Sequence, residues 1–292
     1  MVMQREEEPP PSGAIRQETR REGVEGSGEQ GNVLLVPTDF SEESGYALKH
    51  AQRLGRSMEL PVVLLHVMGD GEQEEVELGR LRMLAECVFG RGCEGVLMRL
   101  ARGVVSEVVP REASAVGAEY VILGSRDAKN PVEHKHSTSL NLLRTGKVPY
   151  VTVQQNTSVR SYQDVVLPID YTDESQKHYG WLDRLCCYFE PTFHLVRPDV
   201  NEPELEERVD ENVTKVMSLL SERGIPHTVR TVPGDSDYAL EILQVARELE
   251  SDLIVVITSV DPRKKGSYML EPHARRLVLQ AAEIPVMTVN PE

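Results

Sequence analysis

Two short stretches carry the residue types from which a binding site could be assembled. Residues 33–44 read Val-Leu-Leu-Val-Pro-Thr-Asp-Phe-Ser-Glu-Glu-Ser, and residues 165–175 read Val-Val-Leu-Pro-Ile-Asp-Tyr-Thr-Asp-Glu-Ser. Each sets one carboxylate, Asp39 or Asp170, after an apolar run and just before a hydroxyl residue followed by acids. A carboxylate there can accept from the amino group of a base or from a sugar hydroxyl; it can equally cap a helix or hold the N–H groups of its own turn. Gly124, at the end of the run Val121-Ile-Leu, would let backbone come close to a phosphate, and Ser137-Thr138 would offer hydroxyls and N–H groups to an anion. Asp127 is the one obvious carboxylate for general-base or metal-assisted work beside phosphates.

Other chemistry-bearing residues read more plainly as structure. His66 sits at a strand end and is expected to pack in the core. His134 and His136 could bind a metal, but no third ligand stands near them, so they read as part of a solvated loop and no metal site is expected. Arg263-Lys264-Lys265 with Arg275-Arg276 could hold an anion, although a solvated basic loop suits an acidic chain as well. Cys87, Cys93, Cys186 and Cys187 lack metal-type spacing and read as reduced thiols. No Ser-His-Asp or Cys-His order stands at a plausible turn, and no metal-hydrolase or Walker-type phosphate loop occurs.

Positioning these residues requires strands that end at them. Apolar runs over 33–36, 62–67, 96–100, 120–124 and 148–153 read as buried strands. Between them, Ala47, His50, Ala51 and Leu54 fall on one helical face, as do Leu81, Leu84, Ala85 and Val88. Residues 106–115 make a third helix with Pro110 near its first turn, and 137–145 a short fourth one after the basic loop 125–136. This βαβαβαβαβ order folds into a parallel sheet with helices on both faces. The order repeats from Val165, with strands near 193–196, 227–232, 253–258 and 284–289 and an amphipathic helix over 205–220. Asp170 follows Asp39 by 131 residues, and Ile284 follows Val148 by 136, so the spacing drifts little over a whole half. One duplicated domain follows: 32–156 and 162–292, joined by a short polar segment that suggests two halves packed together.

The chain of 292 residues carries a formal net charge of −15, which argues against a nucleic-acid partner, since such a face needs clustered Lys and Arg. No stretch approaches the roughly 18 to 20 apolar residues that span a bilayer, and the start lacks the apolar centre of a signal peptide. A soluble, cytoplasmic protein is expected. Residues 1–31, rich in Pro, Gly and Glu, cannot bury enough surface to offset chain entropy and are expected to be a disordered tail.

Taken together, Pro37-Thr-Asp39-Phe-Ser, Leu64-Leu-His66-Val67, Val121-Ile-Leu-Gly124-Ser and Val148-Pro-Tyr-Val-Thr-Val resemble the landmarks of the universal stress protein family, in order and nearly twice over. The resemblance implies an α/β, Rossmann-like fold with strand order 3-2-1-4-5 in each of two tandem domains. It implies pairing through strand five, between the halves of one chain or in a homodimer. Members that bind ATP carry Gly-x-x-Gly, nine residues, then Gly-Ser/Thr after strand four, with an adenine-contacting Asp after strand one. Carried over, the cofactor-binding residues are Pro37, Asp39, Val67, Gly124, Ser137 and Thr138. Asp127 and Ser137 replace the second and third glycines, and a charged side chain at 127 both blocks backbone approach and repels phosphate; Arg126, Lys129, Lys135 and Arg144 stand near enough in sequence to compensate. In the second half the equivalent residues are Ile257, Val260, Leu270 and Glu271, with Asp170 alone retained. The expectation is a non-catalytic stress-response module with ATP in the first domain only; the alternatives are a scaffold for an unidentified protein partner and a nucleotide-hydrolysing enzyme using Asp127.

Overall fold

The computed structural model describes residues 32–125, 138–159, 161–172, 180–234, 237–263 and 267–291. The expected tail, the loop bearing Asp127, His134 and His136, and Ser137 lie outside them.

Strand alternation organises the core. In β1 (Val33–Thr38), Leu34 and Val36 face one side of the sheet while Val33 and Leu35 face the other, all four buried. The helices divide accordingly. α1 (Glu42–Met58) and α2 (Glu74–Phe89) pack with the first set, and α3 (Val105–Ala115) and α4 (Thr138–Leu142) with the second. β2 (Val62–Met68), β3 (Val96–Arg102), β4 (Ala118–Gly124) and β5 (Tyr150–Val153) complete the first half in the order β3-β2-β1-β4-β5, all parallel.

The second half runs β6 (Asp164–Pro168), α5 (Gly180–Tyr188), β7 (Thr192–Asp199), α6 (Pro203–Glu222), β8 (His227–Pro233), α7 (Tyr238–Glu248) and β9 (Leu253–Ile257). A two-stranded ribbon, β10 (Ser259–Val260) and β11 (Tyr268–Met269), follows, then α8 (Pro272–Gln280) and β12 (Val286–Val289). Its main strands repeat the order of the first half, again parallel. The ribbon has no counterpart in the sequence reading, since its strands are too short to show a period.

The two five-stranded sheets join into one ten-stranded sheet, because β12 pairs antiparallel with β5, so strand five meets its counterpart between the halves of one chain. Val151 lies opposite Met287, its own equivalent 136 residues on, so a pseudo-two-fold axis passes between them. The ends of these strands then reach across. Gln154, just past β5, donates from Nε2 to the carbonyl of Val278 in α8 at 2.8 Å and accepts from the Ala282 N–H at 2.8 Å. Asn290, the matching residue past β12, donates from Nδ2 to the carbonyls of Leu143 and Gly146, in the turn that ends α4, at 2.9 and 2.7 Å. Each half thereby satisfies helix-end carbonyls of the other.

Pro110 stands in the middle of α3 and not in its first turn as expected. It leaves the carbonyl of Ser106 without its helical donor, and the Thr145 hydroxyl approaches that oxygen at 3.5 Å.

The joining segment adds a buried staple. Tyr162 packs its ring against Phe189 at 5.1 Å, and its hydroxyl meets His50 Nε2 of α1 at 2.9 Å. Burial, with Arg53 adding to it, drives the His50 pKa from 6.5 to about 3. The unfolded chain therefore binds a proton that the folded one refuses. Stability from this group is intact above pH 6.5 and lost as pH falls toward 3, about 2 kcal/mol by pH 5. Urea unfolding at pH 7.5 and 5 should show this loss in the parent and a flatter dependence in His50→Gln; identical slopes in the two would refute it.

Candidate functional site

In the first half the strand order reverses at β1, whose neighbours β2 and β4 lead to helices on opposite faces. Open parallel sheets bind ligands beyond the carboxyl ends of strands at such a point. A cavity of about 200 Å³ opens there, and Pro37, Asp39, Val67 and Gly124 all line it. Four of the six expected residues thus converge. Thr138 opens α4 on the same side, and the neighbouring Ser139 hydroxyl donates to the Gly124 carbonyl at 3.3 Å.

The turn after β1 is held by its own side chains. Asp39 Oδ1 accepts from the Ser41 N–H at 3.0 Å, and Ser41 caps α1 by accepting from the Ser44 N–H at 3.2 Å. The hydroxyls of Thr38 and Ser44 meet at 2.8 Å, and Thr38 Oγ1 also accepts from the Phe40 N–H at 3.0 Å. Partial burial pushes the Asp39 pKa up, but the hydrogen bonds from Ser41 outweigh it and hold the carboxyl below its ordinary value of 3.8. Asp39 is therefore an exposed carboxylate, ionised at neutral pH and fixed by one oxygen. Phe40 takes φ 62°, a left-handed geometry unfavourable for an aromatic residue. Its ring is clamped by His66 at 4.6 Å and by the Arg80 guanidinium at 3.9 Å.

Gly124 has a structural reason of its own. A Cβ there would lie 2.5 Å from the Ser44 nitrogen and closer still to the carbonyl of Glu43. The first turn of α1 rests directly on it.

His66 is buried, as expected, yet is not an inert packed ring. Its Nδ1 meets the Thr38 carbonyl at 2.9 Å, while Nε2 faces Glu72 Oε2 at 3.3 Å and Glu77 Oε2 at 3.8 Å. Glu77 is itself buried, and Arg80 donates to it at 2.8 Å. Neither glutamate figured among the sequence candidates. A signal was there: Glu77 lies four residues before Leu81 and eight before Ala85, on the stripe α2 turns inward.

In the second half, Asp170 Oδ1 accepts from the N–H and hydroxyl of Thr172 at 2.8 and 2.5 Å. His273 of α8 approaches its other oxygen at 3.6 Å. Burial lowers the His273 pKa against the pull of Asp170 and Glu271. Tyr238, aligned with the cavity-lining Val105, donates its hydroxyl to the carbonyls of Val196 and Ile169 at 2.7 and 3.1 Å and packs on His273 at 5.5 Å. A large anchored side chain stands where the first half has a small one. Two of the basic residues considered for an anion are engaged, and Lys264 and Lys265 lie outside the described residues: Arg276 pairs with Asp237 and donates to Gln280, and Arg263 donates to Asp261 at 3.2 Å.

Residues 32–154 match the universal stress protein family. No curated protein matches the sequence. Among solved structures, a universal stress protein from Archaeoglobus fulgidus DSM 4304 superposes with a TM-score of 0.64 at 17% identity, over 89% of this chain and 99% of that one. A functionally unknown protein from Pseudomonas aeruginosa PAO1 gives 0.60 at 17% identity, over 89% and 92%. A putative universal stress protein from Pseudomonas aeruginosa UCBPP-PA14 gives 0.58 at 17% identity, over 89% and 93%. These likenesses extend across both halves and show the fold.

Proposed function

We propose, from the premise that residues 32–154 belong to the universal stress protein family, that the chain is a non-catalytic stress-response module whose first half takes an adenine nucleotide. The second half is a structural partner whose own crevice is filled. The observation that carries this reading is the contrast between the crevices: Pro37, Asp39, Val67 and Gly124 around open space in one, Tyr238 and His273 packed over Asp170 in the other. The volume of about 200 Å³ is below the roughly 300–1,000 Å³ usual for small-molecule pockets, which suits a base and its sugar better than a whole triphosphate. Asp127 and Ser137, in place of glycines, weaken the phosphate cradle in the same direction. No helix among the described residues is long and apolar enough to cross a membrane, which agrees with work in the cytoplasm.

Calorimetry should find one weak site per chain for adenosine and ATP alike, with affinity falling about tenfold in Asp39→Ala, the loss of one hydrogen bond to a charged group. Asp170→Ala should leave it unchanged, and phosphate release in the presence of magnesium should stay at background. Absence of binding, or full affinity in Asp39→Ala, would sink the nucleotide reading. It would favour the scaffold reading, for which the engagement of Asp39 with its own loop is the supporting contact.

A further inference from the structure

The cluster behind the crevice does not need a nucleotide to explain it. We propose that His66, Glu72 and Glu77 form a site for a zinc-class divalent cation, with His66 Nε2 and one oxygen from each glutamate as ligands.

The first argument is the histidine's proton. The Thr38 carbonyl can only accept, so His66 Nδ1 carries hydrogen and donates to it at 2.9 Å. That leaves Nε2 as the ring nitrogen turned toward the oxygens of two carboxylates. A divalent cation can take the place of a proton between these three atoms and be coordinated by all of them. Donation from the distal imidazole nitrogen to a backbone carbonyl is also the arrangement that orients metal-bound histidines.

Distance is the second argument. Ligand atoms about 2.0–2.2 Å from a tetrahedral ion stand about 3.3–3.6 Å from one another. The Nε2 atom lies 3.3 Å from Glu72 and 3.8 Å from Glu77, and all three ligand atoms lie within 4.8 Å of each other. A charge-assisted N–H···O bond would close to about 2.7–2.9 Å. The Glu72 oxygen stands at ligand spacing, a distance at which a hydrogen bond is also formed, and the Glu77 oxygen needs to move in slightly to close around an ion.

The surroundings hold the ligands in place. Gly69 N–H donates to Glu72 Oε2 at 2.6 Å, Arg80 donates to Glu77 Oε2 at 2.8 Å, and Phe40 packs on the imidazole. His66 and Glu77 are buried and Glu72 is half-buried at the turn between β2 and α2, which gives an entry side. A borderline imidazole nitrogen with two hard carboxylate oxygens suits zinc or another first-row divalent ion, and three protein ligands leave a coordination position open.

The test uses the full chain, stripped with chelator and titrated with Zn²⁺ alone by calorimetry and with Co²⁺ by visible absorption. The expected result is one ion per chain, a cobalt spectrum without thiolate bands, and affinity reduced at least tenfold in His66→Asn, Glu77→Gln and Glu72→Gln. Glu72 sits on a half-buried turn, so its variant keeps the fold even where the buried substitutions do not. No binding, a thiolate spectrum pointing to the cysteines, or parental affinity in Glu72→Gln would each overturn the proposal. His66 also lines the crevice, so adenosine binding is compared in Glu72→Gln and Glu77→Gln, neither of which lines it; unchanged adenosine affinity in those two variants separates this site from the crevice.

Discussion

Gly124→Val is expected to destabilise the protein by about 3 kcal/mol or more, and Gly124→Ala to cost most of that amount. The first atom of any side chain at this position falls into backbone, 2.5 Å from the nitrogen of Ser44 and nearer to the Glu43 carbonyl. Flexible side-chain tips can yield to such a clash; here the obstacle is the opening turn of α1. That turn is tied down by the Ser41 cap, by the hydroxyl contact between Thr38 and Ser44, and by Asp39 on the Ser41 N–H. Gly45→Ala supplies the control, because a Cβ there meets nothing within 4 Å, so the usual helix preference for alanine should make it neutral or stabilising by about 0.5–1 kcal/mol. Chemical denaturation of the three variants decides the matter. Gly124→Ala within about 0.5 kcal/mol of the parent would show that the turn gives way freely.

Asn290→Ala should cost about 2–4 kcal/mol. Its amide donates to two carbonyls, those of Leu143 and Gly146, and accepts from the Thr258 hydroxyl at 2.6 Å, all in the interior. Truncation removes three bonds and strands the two carbonyls, while the Thr258 hydroxyl keeps the Val289 carbonyl at 3.3 Å; each buried group left unpaired costs about 1–3 kcal/mol before relaxation or water entry recovers part of it. Gln154→Ala, which removes the matching contacts to Val278 and Ala282, should cost less, about 1–3 kcal/mol, with two bonds lost instead of three. The two sites share no partner, so a double variant should lose the sum. Unfolding curves that separate into two transitions would mean that the halves had come apart; one transition, shifted, would mean that they still fold together.

Much of this arrangement could be read from residue order. Apolar runs of fixed spacing gave the strands, three-and-four spacing gave the helices, and the return of the Asp39 motif at Asp170 gave the two halves. What escaped was whatever depends on contacts distant in sequence. The junction of the two sheets is an edge pairing between Tyr150–Val153 and Val286–Val289; the resemblance implied pairing through strand five, but neither run states whether its partner lies in the same chain or in another. Glu77 was hidden because an acid on an apolar stripe reads as a surface position until the facing imidazole is known. Tyr238 and His273 come from elements far from Asp170 in the chain, and only the fold brings them over it. Ser137 and Asp127, which bear most on phosphate binding, lie outside the described residues.

The pairing of β5 with β12 also settles how composition is controlled. Two separate folds that met edge to edge would obey mass action: they would part on dilution, and any copy could exchange for another. Here the mating edges belong to one polypeptide, so their effective concentration is set by a short tether and not by expression level. Each translated molecule consequently carries one first-half crevice to one second-half crevice, a ratio that no change in protein abundance can alter.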